Sequence, residues 1–549
     1  MTQARNNVAA LRSLVASAES FGAVADGSTD NRDAFLAAVD ASRVVHLGVG
    51  TYVINLPEGV TTAGLPVPNT TSIVGQGPTA SILRFVVSDT AGARNLFSIT
   101  GRLALAGLRV ELVNSGTDTI SFFRGAGLSG LHLARCQFDG GVTDDGVSAA
   151  YQAYGIFVNN TGTHEDITVE GCDDIRRFTW FFVKDNDATS DQRRLRFLRN
   201  RFREHYRTPL MLNSPKGSIE DVDVDSNTFE GGRGVTLGDV NSFHVAPMGR
   251  GVRVRGNRMT GLVYAAIHCE ENLVDSDISG NHIELHADGV TGIRLLSNDN
   301  GDGATVVGPR KVRVATNTIT YLGTAGASGT RGIQVVSDGD TATADASEVD
   351  ICGNRVDGFE RGISGHGNLG EGVRVYDNVA INCGEGYRSS GSHAVFARNT
   401  SQGCDVGVYG ANGACFKDHV FVDCTAPVTN GGRWVHLVAP RFEFLPVSVG
   451  SASTTNFGTF DLVTQNRITG TANAYVTCDN ASDIGWRTYT TEWDGTTATL
   501  TSKQLRVIGG FTLTVENVSN VLSAKLVSTS ARADVRMAVQ FNGDVLVGA

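Results

Sequence analysis

A chain of 549 residues, 41% hydrophobic, has ample material for a buried core, and 66 Gly against 11 Pro favours many tight turns between hydrogen-bonded strands. A formal net charge of −11 and a pI near 5.6 argue against a nucleic-acid partner, and an anionic ligand would need a local basic patch. No run approaches membrane-spanning length, and the nine Cys residues show neither a CxxC pair nor metal-ligand spacing, so they read as free, buried thiols.

Residues 1–20 place Val8, Leu11, Leu14 and Val15 at helical spacing, which predicts a short amphipathic helix. The same stretch lacks the uninterrupted apolar core of a secretion signal, which predicts a protein made in a cytoplasm. The next segment, SFGAVADGSTDNRDAFLAAVDASR, predicts a turn at Gly22, Asp26 and Gly27, a cap at Thr29 or Asp30, and a helix with Phe35, Ala38 and Val39 on one side. VVHLGVGTYVI follows as two strands around Gly48 and Gly50. Residues 55–150 hold strand-like runs such as SILRFVV and LHLARCQF between Gly/Thr/Ser/Pro loops.

From about Gly155 to Asn430 one unit recurs: a short alternating run, an Asn, a turn and another short run. The Asn falls at Asn200, Asn227, Asn257, Asn281, Asn317, Asn354, Asn378 and Asn399, at intervals of 27, 30, 24, 36, 37, 24 and 21 residues. Alternation of period two (Val252 and Val254, Val312 and Val314, Val373 and Val375) makes the units strands. A repeat that cannot bury its own apolar face must stack on its neighbours. The result is a parallel β-helix. The repeated Asn suits a left-handed turn and amide bonds to its equivalents one coil above and below. Cys136 and Cys172 stand where later units have Asn. An amphipathic helix before the coils would cover the open sheet edge.

After a bridging run from Trp434 to Leu445 the pattern changes. FGTFDLVT, AYVTCD, GWRTYTTEWD, ATLTSKQLRVI, FTLTVEN, LSAKLVS and ADVRMAVQF recur every ten or so residues, which predicts a β-sandwich. The domains expected are therefore 1–20, a capping helix and lead-in over 21–55, the parallel β-helix over 56–433, and a linker with β-sandwich over 434–549.

Phe21-Gly22-Ala23 through Asp26-Gly27, Thr29-Asp30 and the helix to Ala41, followed by Gly50-Thr51-Tyr52, resembles the opening motif of the pectate-lyase-like superfamily, and within it bacteriophage tailspikes. The resemblance implies an all-β fold: a right-handed parallel β-helix with an N-terminal capping helix and a C-terminal β-sandwich. It further implies a homotrimer on a phage tail or baseplate, acting on a bacterial surface polysaccharide, with no cofactor, no nucleic acid and no membrane insertion. The C-terminal domain would hold three chains together or bind sugar.

With the turn as a ruler, Ile156, Phe181, Leu210, Val235, Ile267, Ile293, Ile333 and Ile363 form one inward column. The residues after them face out: Phe157, Phe182, Met211, Thr236, His268, Arg294, Gln334 and Ser364. Further along the same strands come Lys184, Asp239, Glu270 and Glu271. YAAIHCEEN is the densest group of ionisable residues on any strand. Carboxylates about 4.8 Å apart on neighbouring coils split their pKa values, as an acid and a base or nucleophile require. We therefore expect glycoside hydrolysis, with Glu270 or Glu271 as acid and Asp239 as base or nucleophile. His268 and Arg294 would hold substrate. Lys184, Tyr206, Arg207 and Tyr264 are further substrate-binding candidates, and Trp180 and Phe182 candidate stacking platforms. A lyase using Lys184, His268, Arg294 or Tyr264, and a spike that binds without cutting, are the alternatives. Ser364-Gly365-His366-Gly367 is similar to the Gly-His-Gly of polygalacturonases but lacks their companion motifs. Asn298 to Gly303 opens like a calcium loop without its closing Glu.

Overall fold

The computed structural model describes residues 15–429 apart from 57–63, 68–69, 88–93, 115–118, 126, 143–151, 159–161, 185–189, 213–217, 234–242, 271–272, 298–307, 338–345, 367–371, 390–393 and 411–414, and beyond 429 the backbone of the strands named below. Two compact units divide the chain, Met1–Ala287 and Asp288–Ala549.

Alternation dictates the element type. In Ser81–Val87 every second residue is buried, and Thr71–Val74 and Leu103–Ala106 repeat the pattern. Such strands pair in parallel with their equivalents one coil away, and each coil of the first unit contributes to three sheets. One coil shows the path: Asp191–Leu198 in the second sheet, the Asn200 turn, Arg201–His205 in the first, then Leu210–Leu212 in the third. These pair in turn with Ile219–Asp225, Thr228–Arg233 and Phe243–Pro247. The second unit is built alike, with Thr291–Ser297, Ala327–Ser337, Phe359–His366, Glu385–Ser389, Val406–Gly410 and Ala426–Thr429 as its third sheet. Three stacked parallel sheets joined coil by coil are a parallel β-helix, and crossovers between parallel strands run right-handed.

The Asn file binds the coils edge to edge. Asn227 accepts at Oδ1 from the Asn200 backbone N–H (2.9 Å) and from Asn200 Nδ2 (3.0 Å). Its own Nδ2 donates to Phe197 O (2.8 Å) and Asn257 Oδ1 (3.1 Å). Asn257 continues this to Asn281, and in the second unit Asn317, Asn354, Asn378 and Asn399 form the same ladder. Cys172 occupies the next rung, its N–H donating to Asn200 Oδ1 (3.1 Å). The left-handed residue is the one before the Asn, contrary to expectation: Arg199, Ser226, Gly256 and Gly280, then Thr316, Gly353, Asp377 and Arg398, all have φ between 51° and 63°. A left-handed non-glycine residue costs about 1–2 kcal/mol, which the buried bonds of the neighbouring amide offset, four of them at Asn227.

The inward column differs from the ruler at two places. Ile156 is in register with Phe182, and Leu210 with Val245. At Phe181–Phe182 both N–H groups donate to Pro209 O (3.0 and 2.8 Å), a bulge that buries both rings, so Phe182 is no outer platform. The extra residues of the next coil precede its third-sheet strand, which moves that strand from Val235 to Phe243–Pro247. Inside the first unit Phe85, Phe97, Phe123, Phe138, Phe181, Phe202 and Phe229 touch ring to ring along the stack. Each fully buried ring contributes about 2–3 kcal/mol.

At the start, the strand Val15–Ser17 and a short 3-10 turn, Ala18–Phe21, stand where a helix was expected to end; residues 1–14 lie outside the described residues. The helix is Arg32–Ala41, with Asn31 rather than Thr29 or Asp30 at its N-cap. Asn31 instead fastens the turn, donating to Val24 O (3.0 Å) and Thr29 O (2.7 Å). Phe35 meets Tyr52 edge to face at 5.9 Å, and Glu19 accepts from Gly48 N–H (2.9 Å) and from the Tyr52 hydroxyl. Gly50, at φ +129°, has no room for a Cβ, which would lie 2.4 Å from Ala25 O.

Val435–Val438 and Arg441–Val449 still pair in parallel with Cys415–Lys417 and Val420–Val422. Antiparallel pairing then takes over. Arg532–Val547 pairs with Arg441–Val449 and with Arg467–Thr477, and the latter leads through Gly485–Trp493 to Ala498–Arg506. Thr454–Asp461, Val521–Ser528 and Phe511–Val518 form a separate three-stranded sheet. No helix among the described residues is long and apolar enough to cross a membrane.

Candidate functional site

On the first and second sheets of the first unit, arginines face carboxylates on neighbouring coils. Arg196 and Arg253 share Asp221 and Asp223, and Arg194 pairs with Asp166 at 2.6 Å. Asp139, buried, accepts from Arg109, Arg176 and Arg177. Burial raises its pKa, but the hydrogen bonds and charges of Arg177 and Arg176 outweigh that and hold the carboxyl below its usual range.

The outer face of the third sheet is chemically different. Register sets Arg124 beside Phe157 and Tyr154 beside Trp180 on successive coils. The Arg124 guanidinium lies 4.8 Å over the Phe157 ring, and Tyr154 stacks on Phe157 at 5.2 Å with 12° between planes. Tyr154 is 5.4 Å from Trp180, and Arg207 lies 4.9 Å over the Trp180 ring. All five side chains are half-buried. They form a continuous strip along the coil axis, Arg124–Phe157–Tyr154–Trp180–Arg207, with arginines over rings at both ends. Further along, Met211 and Tyr264 pack against Phe243, Ala246 and Ala265, and His268 stacks flat on Phe243 at 4.2 Å and 7°.

Of the expected site residues, Asp239 and Glu271 lie outside the described residues, and Lys184 and Glu270 end the strands Trp180–Lys184 and Ala265–Glu270 with their side chains outside them. His268 is only 3% exposed and Tyr206 6%, so neither presents an open ring, whereas Arg207 and Tyr264 are half-buried. Arg294 belongs to the second unit, half-buried, in register with Gln334. Arg124 lies on the coil before Ile156, where the inward column starts, and Tyr154 lies two residues before that anchor, so the column spacing reaches neither. The Asn298–Gly303 loop, the His366 side chain and Cys478 lie outside the described residues. The other eight cysteines form no disulfide among the described residues; six are buried as expected, but Cys424 is half-buried and Cys415 exposed, and no group of three or more His, Cys, Asp or Glu among the described residues could hold a metal ion.

An extended strip of aromatic faces flanked by arginines suits a flat, hydroxylated, extended ligand: rings cover apolar sugar faces while guanidinium groups bond oxygens. The fold these sheets define is the parallel β-helix. No protein-family model matches the chain, and no curated protein does. Among solved structures it is similar to the catalytic unit of a GH87 α-1,3-glucanase from Streptomyces thermodiastaticus, at 16% identity and a TM-score of 0.40, covering 72% of this chain and 65% of that one. It is also similar to a tailspike double mutant of E. coli bacteriophage HK620 in complex with a pentasaccharide (12% identity, TM-score 0.41, 97% and 94% covered). The Dettilon tailspike is a third, at 13% identity and a TM-score of 0.31, with 97% and 94% covered.

Proposed function

We propose that the chain is a tailspike-type depolymerase, hydrolysing glycosidic bonds of a bacterial surface polysaccharide laid along the outer face of the third sheet. The observation that supports this is the strip from Arg124 to Arg207, whose length follows the coil axis as an extended glycan would. Asp239, Glu270 and Glu271 supply the acid and base on this reading, and Tyr264 and Arg207 hold sugar. Closely spaced carboxylates would favour a retaining reaction and wider ones an inverting reaction. Three chains assemble, with the antiparallel strands after Val449 as a C-terminal sandwich that joins them, and the spike sits on a virion tail. Light scattering is expected to give three times the 58.0 kDa chain mass.

Digestion of bacterial surface polysaccharides tests the chemistry. New reducing ends without near-ultraviolet absorbance are expected, and Asp239→Asn or Glu271→Gln should lower the rate by orders of magnitude while leaving the melting temperature in place. New absorbance would mean β-elimination and a lyase. Glycan binding without either signal would leave a spike that recognises but does not cut.

A further inference from the structure

The third sheet of the second unit carries a second, more strongly charged surface. Arg331 is in register with Arg361, and Arg361 with Glu385. Three residues further along the same strands, Arg294, Gln334, Ser364, Arg388 and Tyr409 fall in one file. Two neighbouring files thus hold four arginines, with Glu360 and Glu385 as the carboxylates that ion-pair there among the described residues. At the second sheet of the same unit and its turns, Arg374 pairs with Asp350 and Arg398 with Asp377.

Arg388 is held as a recognition group would be. Its Nη1 donates to both oxygens of Glu385 (3.0 and 3.2 Å), and its guanidinium carbon lies 4.4 Å from the centre of the Tyr409 ring. Its Nε is buried with no hydrogen-bond partner among the described residues. Arg361 approaches the same Glu385 at 3.4 Å and Glu360 at 3.6 Å, so one carboxylate anchors two guanidinium groups. A guanidinium held by a ring beneath it and a carboxylate beside it loses little entropy on meeting a further planar anion.

We propose that this surface binds glycans bearing carboxylated sugars, with Arg388 and Arg361 as the recognising groups. The inference names a substrate class and rests on the reading that the chain binds polysaccharide. The test is affinity electrophoresis against polygalacturonate, alginate and hyaluronate, each beside its own carboxyl-reduced form, at low and raised salt. At least one native polyanion is expected to bind about tenfold tighter than its reduced form, with the preference fading as salt rises. Arg388→Gln should abolish that preference, bringing the native form down to the affinity of its reduced form, and Arg388→Lys should restore part of it, because charge remains while the planar fork is lost. Should Arg388→Gln fail to fold, Arg388→Lys carries the comparison. A folded Arg388→Gln chain that keeps the full preference overturns the site. Equal binding of native and reduced forms, or binding of neutral surface polysaccharides alone, overturns the carboxylate preference and leaves the glycan reading standing. Binding to no glycan of any kind overturns both.

Discussion

Trp180 is the residue on which the strip in the first unit turns. Its indole lies between the Tyr154 ring and the Arg207 guanidinium, so it joins the two halves of the surface. Truncating it removes a stacking face worth about 1–2 kcal/mol to a bound sugar and releases Arg207 from a fixed position. Trp180→Ala is therefore expected to weaken glycan binding about tenfold, and Trp180→Phe to recover most of it, both read by titration calorimetry on a surface polysaccharide that the wild type binds. Unchanged affinity in Trp180→Ala would remove the strip from the binding surface. Trp180, Arg207 and Tyr264 were legible from residue type and position as candidates to face a ligand, and the structure leaves all three half-buried. Arg124 and Tyr154 were not, since an arginine over a ring has no linear signature. Phe182 misled because two adjacent phenylalanines look alike in a period-two pattern. Only the shared Pro209 acceptor reveals which of them sits at a bulge.

The Asn ladder is the element that the repeat announced most clearly, because the amide must recur once per coil to bond its own kind. The turn beside it was harder to read. Arg199, Ser226, Thr316, Asp377 and Arg398 share no side-chain chemistry, yet all take the left-handed conformation where other coils use Gly. The conformation is imposed by the coil and held by the neighbouring amide rather than by the residue's preference. Asn227→Ala would leave the buried Asn200 N–H without its side-chain acceptor and take one partner each from Asn200 Nδ2, Phe197 O and Asn257 Oδ1, although Nδ2 keeps Val169 O and Oδ1 keeps the backbone N–H of residue 227. A loss of about 2–4 kcal/mol is expected in urea unfolding, since a buried orphan costs about 1–3 kcal/mol and each further lost bond about 0.5–1.5 kcal/mol. Asn227→Asp keeps the shape and the acceptor but loses the donors. It should fall between the wild type and Asn227→Ala at low pH, and fare worse as the carboxyl ionises in the stack. A loss below about 1 kcal/mol in Asn227→Ala would show the ladder to be ornamental.

Across the whole chain, stacking was legible because strand-and-turn repeats without helical periodicity have few other ways to bury their apolar faces, whereas the third-sheet register was obscured by insertions that fall at different points in different coils. One property that no repeat displays is the burial of histidine. His205 and His244 lie ring against ring at 5.2 Å inside the first unit, and His419 is enclosed in the second beside Tyr387 and Phe421. Burial pushes His244 and His419 down to about 3, and burial with the neighbouring His244 pushes His205 well below its usual value. These groups stay neutral in the fold but take up protons near pH 6.5 once the chain unfolds. Their contribution to stability is thus intact above about pH 6.5 and lost progressively as pH falls toward 3. The paired carboxylates act lower: Asp166 and Asp221 are held below their ordinary range chiefly by hydrogen bonds from Arg194 and Arg196, and their contribution is lost only as pH falls below about 4. Between pH 6.5 and 4.5 the histidines therefore dominate, at about 2–3 kcal/mol each by the lower limit. The urea midpoint should be level between about pH 7 and pH 8 and fall steadily below about pH 6.5. Replacing His205 and His244 together by Phe, which matches the neighbouring Phe229, should flatten most of the slope that comes from the first unit. An identical slope in the double variant would mean that the acid sensitivity lies elsewhere, and a wild-type midpoint level down to pH 4.5 would mean that the buried rings find protons without unfolding.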